Sequence, residues 1–358
     1  MALQQIFEHE DLSALLFNVC TPGTLCAIQR LCKKYRPFLE RFFNTKFNIE
    51  NRLLRFFTSP DAFRAMQRNT LTLISGSFAL QFFAGILYPT SDLDLYVESQ
   101  FRQQVVDFLL MDGYNFKPTV TQLGLQETLD ATQSASEQPY RTLVMEGISG
   151  VLTFEKDNGR TVQLIVTCQG RTAIEIILNF HSTVVMNFIA WDFACSLYPV
   201  ATFERNVSLA CRATPGSHPL DSLMKYRHRG WNVILPEEDT DENVQPLFAS
   251  LFGGDSLRWI GDSKTWLIRL HTNTLPPLPL QPAISSHLIL HPVCTALWSL
   301  MLQDGVVTVE YSKIVSRFRF FEYIMKHRHR QEYLSNHEFF DSNYFIETAT
   351  FLGNLAGK

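Results

Sequence analysis

Three observations predict an α+β fold for this 358-residue chain. The hydrophobic spacing is helical up to about residue 70 and then changes to short, β-like apolar runs. A Gly76-Ser77 turn breaks the first of those runs ahead of a helical segment, and Asp92 to Val97 alternates with the period of a strand. The expected architecture is an α/β (α+β) core, flanked by an N-terminal helical segment and a mostly helical C-terminal region. With 46% hydrophobic residues, 29 phenylalanines and 18% charged residues, the chain can bury a sizeable core and is not disordered by composition.

Each element has its own signal. Leu12, Leu15, Leu16 and Val19 recur at helical spacing, as do Leu25, Ile28 and Leu31, and then Phe38, Leu39, Phe42 and Phe43. Thr24 reads as the cap of the second helix, after Thr21-Pro22-Gly23. Ser59-Pro60-Asp61 opens another helix, with proline well placed at a helix start. Leu71 to Ile74 is the first strand, Phe78 to Phe83 a helix, Asp92 to Val97 the second strand, and Phe101 to Met111 an amphipathic helix stopped by Asp112-Gly113. Residues 115–140 read as polar loop. Val151 to Lys156 and Arg160 to Cys168 flank Asp157-Asn158-Gly159 as a hairpin. Ile174 to Phe180 reads as a third strand, and His181-Ser182-Thr183 as the cap of a helix through Trp191. Leu220, Leu223 and Met224 predict a helix ending at Gly230. An acidic loop at Glu237 to Glu242 and a stiff, proline-rich connector at Leu275 to Pro282 follow. The spans are therefore a helical segment (1–69), the core (70–200), a basic helix with acidic loop and connector (201–282), and a helical C-terminal region (283–358).

Composition narrows the function classes. A net charge of −4 argues against a general nucleic-acid coat. The seven cysteines form no Cys-x-x-Cys pair, so buried reduced thiols in a cytoplasmic or nuclear protein are expected. The N-terminus reads as neither a signal nor a transit peptide, and no stretch reaches the roughly 18 uncharged apolar residues of a membrane span.

The chemistry-bearing residues lie around the period change. A glycine lets the backbone approach a phosphate, the helix that follows presents free N–H groups, and the Ser77 hydroxyl adds a donor. Alternation puts Asp92, Asp94 and Tyr96 on one strand face, with the two carboxylates roughly 7 Å apart along the strand. Paired hard oxygen ligands suit Mg²⁺, or Mn²⁺ in its place.

Together, ISGSFALQFF and YPTSDLDLYV resemble the signature of the polymerase-β-type nucleotidyltransferase superfamily over roughly residues 70–200. The resemblance implies a mixed sheet, metal at Asp92 and Asp94, and nucleotide phosphates at Gly76 and Ser77. It also implies transfer of a nucleotide from a nucleoside triphosphate to an acceptor, whether small molecule, protein or RNA. In that family a third acid stands on a later strand; the matching position here is Gln163, which can offer a metal its amide oxygen but cannot serve as a base. Glu155 or Glu175 would have to substitute. Otherwise the chain is a weakened nucleotide- or ligand-binding version of the fold. Ser182 and Thr183 are read as a helix cap or as nucleotide contacts, and Lys225 and Arg229, four apart, as a helix C-terminus or a triphosphate clamp. Arg317 to Arg330 is a basic amphipathic stretch. The leucine spacing of residues 1–60 resembles a degenerate F-box without its leading Leu-Pro, which implies an adaptor with a Skp1-type partner.

Overall fold

The computed structural model describes residues 6, 9–31, 36–134, 147–211, 220–236, 241–254, 256–272, 275, 292–303 and 305–313. Five helices come first: α1 (Glu10–Val19), α2 (Pro22–Leu31), α3 (Arg36–Lys46), α4 (Ile49–Leu53) and α5 (Pro60–Thr70). The Ser59 side chain caps α5 by accepting from Ala62 N, with Pro60 in the first turn, as the sequence predicts. The core elements follow: β1 (Leu73–Ser75), α6 (Gly76–Ala84), β2 (Leu93–Val97), α7 (Arg102–Met111), β3 (Asn115–Phe116), α8 (Leu125–Ser134), β4 (Ile148–Glu155), β5 (Thr161–Thr167) and α9 (Ala173–Leu178). Next come β6 (Asn187–Ile189), β7 (Phe193–Ser196), β8 (Val207–Leu209), α10 (Leu220–His228), β9 (Asn232–Ile234), α11 (Asp241–Leu247), β10 (Arg258–Trp259), β11 (Trp266–Arg269), β12 (Ala296–Gln303) and β13 (Val306–Lys313).

Eight strands form one mixed sheet in the order β11-β7-β6-β1-β2-β5-β4-β3. The β2–β5 pairing is parallel, while β1 lies antiparallel to both β2 and β6. The alternation along β2 and β5 sorts side chains as expected. Leu93, Leu95, Val97, Val162, Leu164 and Val166 point into a core with Phe56, Phe57, Phe63 and Phe78. Tyr96 and Ile165 point to the opposite core, with Ile177, Phe180 and Tyr226. A smaller sheet, β10-β12-β13, packs against this second core. It is tied to the large sheet by Arg258, which is buried, pairs with Asp262 at 2.5 Å, donates to Leu197 O at 3.0 Å and lies over the Tyr198 and Trp298 rings.

Several expectations are corrected. Residues 173–178 form a helix, not a strand: Thr172 and Glu175 make a reciprocal capping box that starts it. The helix expected through Trp191 is a short 3₁₀ turn at Thr183–Val185 followed by β6. Helix α2 begins at Pro22, and its cap interaction is Thr24 N donating to Thr21 Oγ1, so Thr21 takes the role given to Thr24. The span 115–140, read as loop, contains β3 and α8. Residues 296–303 and 306–313 pair antiparallel in full register, with Gln303 opposite Val306, and are not helical. The large sheet also takes in β11, from the span 201–282. Residues 237–240 of the acidic loop, most of the proline-rich connector, the 317–330 basic stretch, and Cys32 lie outside the described residues. Among the described residues, no helix is long and apolar enough to cross a membrane.

Candidate functional site: a carboxylate pair beside a basic helix

Strand β1 ends where α6 begins, and the junction is held tightly. Ser75 Oγ donates to Asn187 O at 2.6 Å, fixing β1 to β6. Gly76 has φ +63°, a conformation that L side chains adopt at a cost. A Cβ at Gly76 would collide with Asp94 Oδ2 and stand 3.2 Å from Asp94 Cγ. Glycine therefore lets the start of α6, with its unpaired N–H groups, lie directly against the Asp94 carboxylate. Ser77 is buried just behind, and no described group hydrogen-bonds its hydroxyl.

Gln81 organises the loop that leads to the aspartates. Its Nε2 donates to Ser77 O at 2.9 Å and to Ser91 Oγ at 3.0 Å, and its Oε1 accepts from Tyr88 N at 2.6 Å. Ser91 in turn donates to Tyr88 O at 3.0 Å. Asp92 follows immediately. The register then sets a polar row across four strands, Ser75–Asp94–Gln163–Thr153, on one face of the sheet.

The electrostatics follow from that crowding. Burial pushes the Asp94 carboxyl up to about 7; the Asp92 charge adds to the rise, and Lys225 opposes it. Asp92 is also raised by burial, again with Lys225 in opposition. Lys225 of α10 is exposed yet reaches both aspartates with its charge. Four residues on, the Arg229 guanidinium lies 3.7 Å from the Tyr88 ring centroid and 5.4 Å from that of Tyr226, and its Nη1 is buried without a hydrogen-bond partner. His181, edge-on to Tyr226 at 5.9 Å, is held down to about 4 by burial, with the Lys225 charge adding, and is neutral at pH 7.

The structure thus gathers Gly76, Ser77, Asp92, Asp94, Gln163 and Lys225, with Arg229 one helical turn further on against Tyr88. It does not bring Ser182 or Thr183 with them as exposed groups: both are fully buried, and Thr183 Oγ1 accepts from Leu209 N at 3.0 Å, which secures β8. Neither candidate third acid joins the pair. Glu155 lies on β4, two strands from β2, bridged to Lys117; Glu175 is bridged to Arg171 and caps α9. Among the described residues, no group of three or more His, Cys, Asp or Glu could hold a metal ion. Sequence reasoning missed Tyr88, Tyr226 and His181 as neighbours of the site; no spacing signal links them, since they meet only through the packing of α10 on the sheet.

A divalent cation fits the donor set. Mg²⁺ needs only one or two carboxylates when waters and substrate phosphates complete its shell. Asp94 feels the charge of Asp92, and Gln163 offers an amide oxygen in the same row.

Fold and site together define an α+β protein whose mixed sheet carries paired carboxylates at a helix start, facing a basic helix. No family model and no curated protein matches the chain. Among solved structures, a CCA-adding enzyme in apo form I is similar over 53% of this chain and 42% of that one, with a TM-score of 0.33 and 10% identity. The match spans less than half of that protein, and a likeness so weak carries no argument.

Proposed function

We propose that this chain is a nucleotidyltransferase-like protein that binds a nucleoside triphosphate with Mg²⁺ or Mn²⁺, and that its transfer chemistry is weak. The observation that carries this reading is the close approach of Asp94 to Gly76 at the start of α6, with Asp92 and Lys225 beside it. Asp92 and Asp94 would hold the ion, with the Gln163 amide as a third oxygen. The start of α6 and the Ser77 hydroxyl would receive phosphate oxygens, with Lys225 and Arg229 balancing their charge. The ion, when bound, neutralises phosphate charge and the carboxylate pair together. Gln163 cannot accept a proton from an acceptor hydroxyl, and no described carboxylate replaces it, so binding outruns transfer.

Calorimetry with ATP, GTP, CTP and UTP, each with Mg²⁺, tests this. At least one should bind, and Asp92→Ala with Asp94→Ala should abolish that binding. Absence of binding by all four sinks the nucleotide reading. Rapid turnover of a labelled triphosphate, lost in the same variant, replaces the binding reading with an active transferase acting on a small-molecule, protein or RNA acceptor.

A second reading concerns the N-terminal helices. Helix α1 buries Phe17 against Leu25, Leu39 and Phe42, yet leaves Leu12, Leu15 and Val19 at 46%, 66% and 81% exposure. Their i, i+3, i+7 spacing makes one apolar stripe. An adaptor with a Skp1-type partner would use such a stripe; co-purification of that partner with the full chain, lost on Leu15→Arg, is the test.

A further inference from the structure

The loop between α6 and β2 is gripped by three arginines. Arg52 on α4 donates Nη1 to Ile86 O at 2.8 Å. Arg55, just beyond α4, donates Nη2 to Tyr88 O at 3.3 Å and to Pro89 O at 3.4 Å. Arg160, at the start of β5, donates Nη1 to the same Pro89 oxygen at 3.0 Å. Two guanidinium groups therefore share one carbonyl, and none of the three forms an ion pair among the described residues. The nearby Asp112 is already committed to Lys156 at 2.6 Å. The repulsion is felt: burial, and then the Arg160 and Arg52 charges, pull Arg55 below its ordinary value.

Each guanidinium carries five N–H donors and spends one or two on the loop. All three arginines are half-buried, so part of each side chain remains open to solvent. On the other side of the same loop stand Arg229, stacked on Tyr88, and Lys225 beside Asp92. Five cations thus ring one short loop in a chain of net charge −4. Leu54 and Leu87 lie exposed next to them.

We infer that this arginine-rimmed loop binds the phosphate backbone of a single-stranded nucleic acid, which runs from Arg52, Arg55 and Arg160 past Tyr88 toward Lys225. Arg55 and Arg160 converge on Pro89 O, Arg52 holds Ile86 O, and Arg229 and Lys225 stand at Tyr88 and Asp92, so positive charge extends along residues 86–92, which suits a repeating phosphate. An aromatic ring and exposed leucines beside them suit bases and sugars. Arg52, Arg55 and Arg160 take no part in the proposed nucleotide site, so their contribution does not depend on what occupies the aspartate pair.

The test is fluorescence anisotropy of the full chain with a labelled twelve-residue oligouridylate in EDTA, across 50–200 mM salt. Three phosphate contacts give a slope of log K against log salt of about −2, a loss of about 20-fold over that range. Arg160→Gln and Arg55→Gln should each reduce the slope by about 0.7, while Arg160→Lys keeps it; thermal melts check that each variant folds. Asp92→Ala with Asp94→Ala should retain RNA binding, which separates this inference from the nucleotide reading. The inference is overturned by absent or salt-insensitive binding, or by affinity unchanged in both folded glutamine variants. Tighter capture by a phosphoserine peptide or by phosphoinositide vesicles would overturn it as well.

Discussion

Replacing Gly76 with alanine perturbs two things at once, and a double-mutant cycle separates them. The first is backbone strain: at φ +63° a Cβ costs about 1–2 kcal/mol. The second is the collision with the Asp94 carboxylate: Oδ2 can turn aside about the side-chain torsion, but Cγ, 3.2 Å away, is carried by β2, which is pinned between β1 and β5. Overpacking of this kind costs about 1–3 kcal/mol. Gly76→Ala alone should therefore destabilise by about 2–5 kcal/mol in urea unfolding. In an Asp94→Ala background the collision is gone and only the backbone cost remains, so the same substitution should cost about 1–2 kcal/mol. The coupling between the two sites should be about 1–3 kcal/mol and should report directly on the contact. If the two substitutions add without coupling, Gly76 is not held against Asp94, and the account of the site fails with it.

Three further outcomes are expected. Asp192 is buried, with an unpartnered Oδ1, and burial pushes its carboxyl up to about 7 against the opposing Arg64 and Arg269 charges. A raised folded value means stability is fully present below the ordinary carboxylate range and lost as pH rises through about 7. Asp192→Asn should flatten the fall in melting temperature between pH 5 and 8; an unchanged fall would show that Asp192 is not its source. Arg258→Met strands Asp262, whose side chain is 2% exposed, and should cost about 3–5 kcal/mol in urea unfolding. A loss below about 1 kcal/mol would mean the pair does not join the two sheets. Gln163→Glu adds a third negative charge to the Asp94 row, so it should lower the melting temperature in EDTA and recover with Mg²⁺ more than wild type does; equal Mg²⁺ responses would argue against a metal at this row.

The sequence made the site's frame legible because strands impose a period of two: Asp92 and Asp94 had to share a face, and the register then placed Gln163 beside Asp94. Local chemistry also spoke clearly at Ser59-Pro60 and at the Asp157-Asn158-Gly159 turn. Residues 173–178 were misread because five of the six are buried, and a fully buried run has no periodicity to separate helix from strand. The Thr172-x-x-Glu175 capping box was the signal that could have decided it. The 296–313 hairpin carried its own mark in Asp304-Gly305, a turn dipeptide set between alternating residues. What no local pattern carries is the approach of α10 to the aspartates, because Lys225 comes more than 130 residues after Asp92 and only tertiary packing unites them.

The placement of β1 has a consequence for how the chain is made. This three-residue strand lies at the middle of the eight-stranded sheet, between β2, which follows closely, and β6, which is more than 100 residues away. At about 5–20 residues per second of synthesis, one hydrogen-bonding flank of β1 stays open for roughly 6–20 seconds before its partner exists. The backbone N–H and C=O groups that β6 will meet at Ile74 have no partner on that flank throughout. The nascent chain therefore presents an unpaired strand edge next to the future ligand site, and early chaperone occupancy of residues 70–100 is the behaviour such an ordering of strands demands.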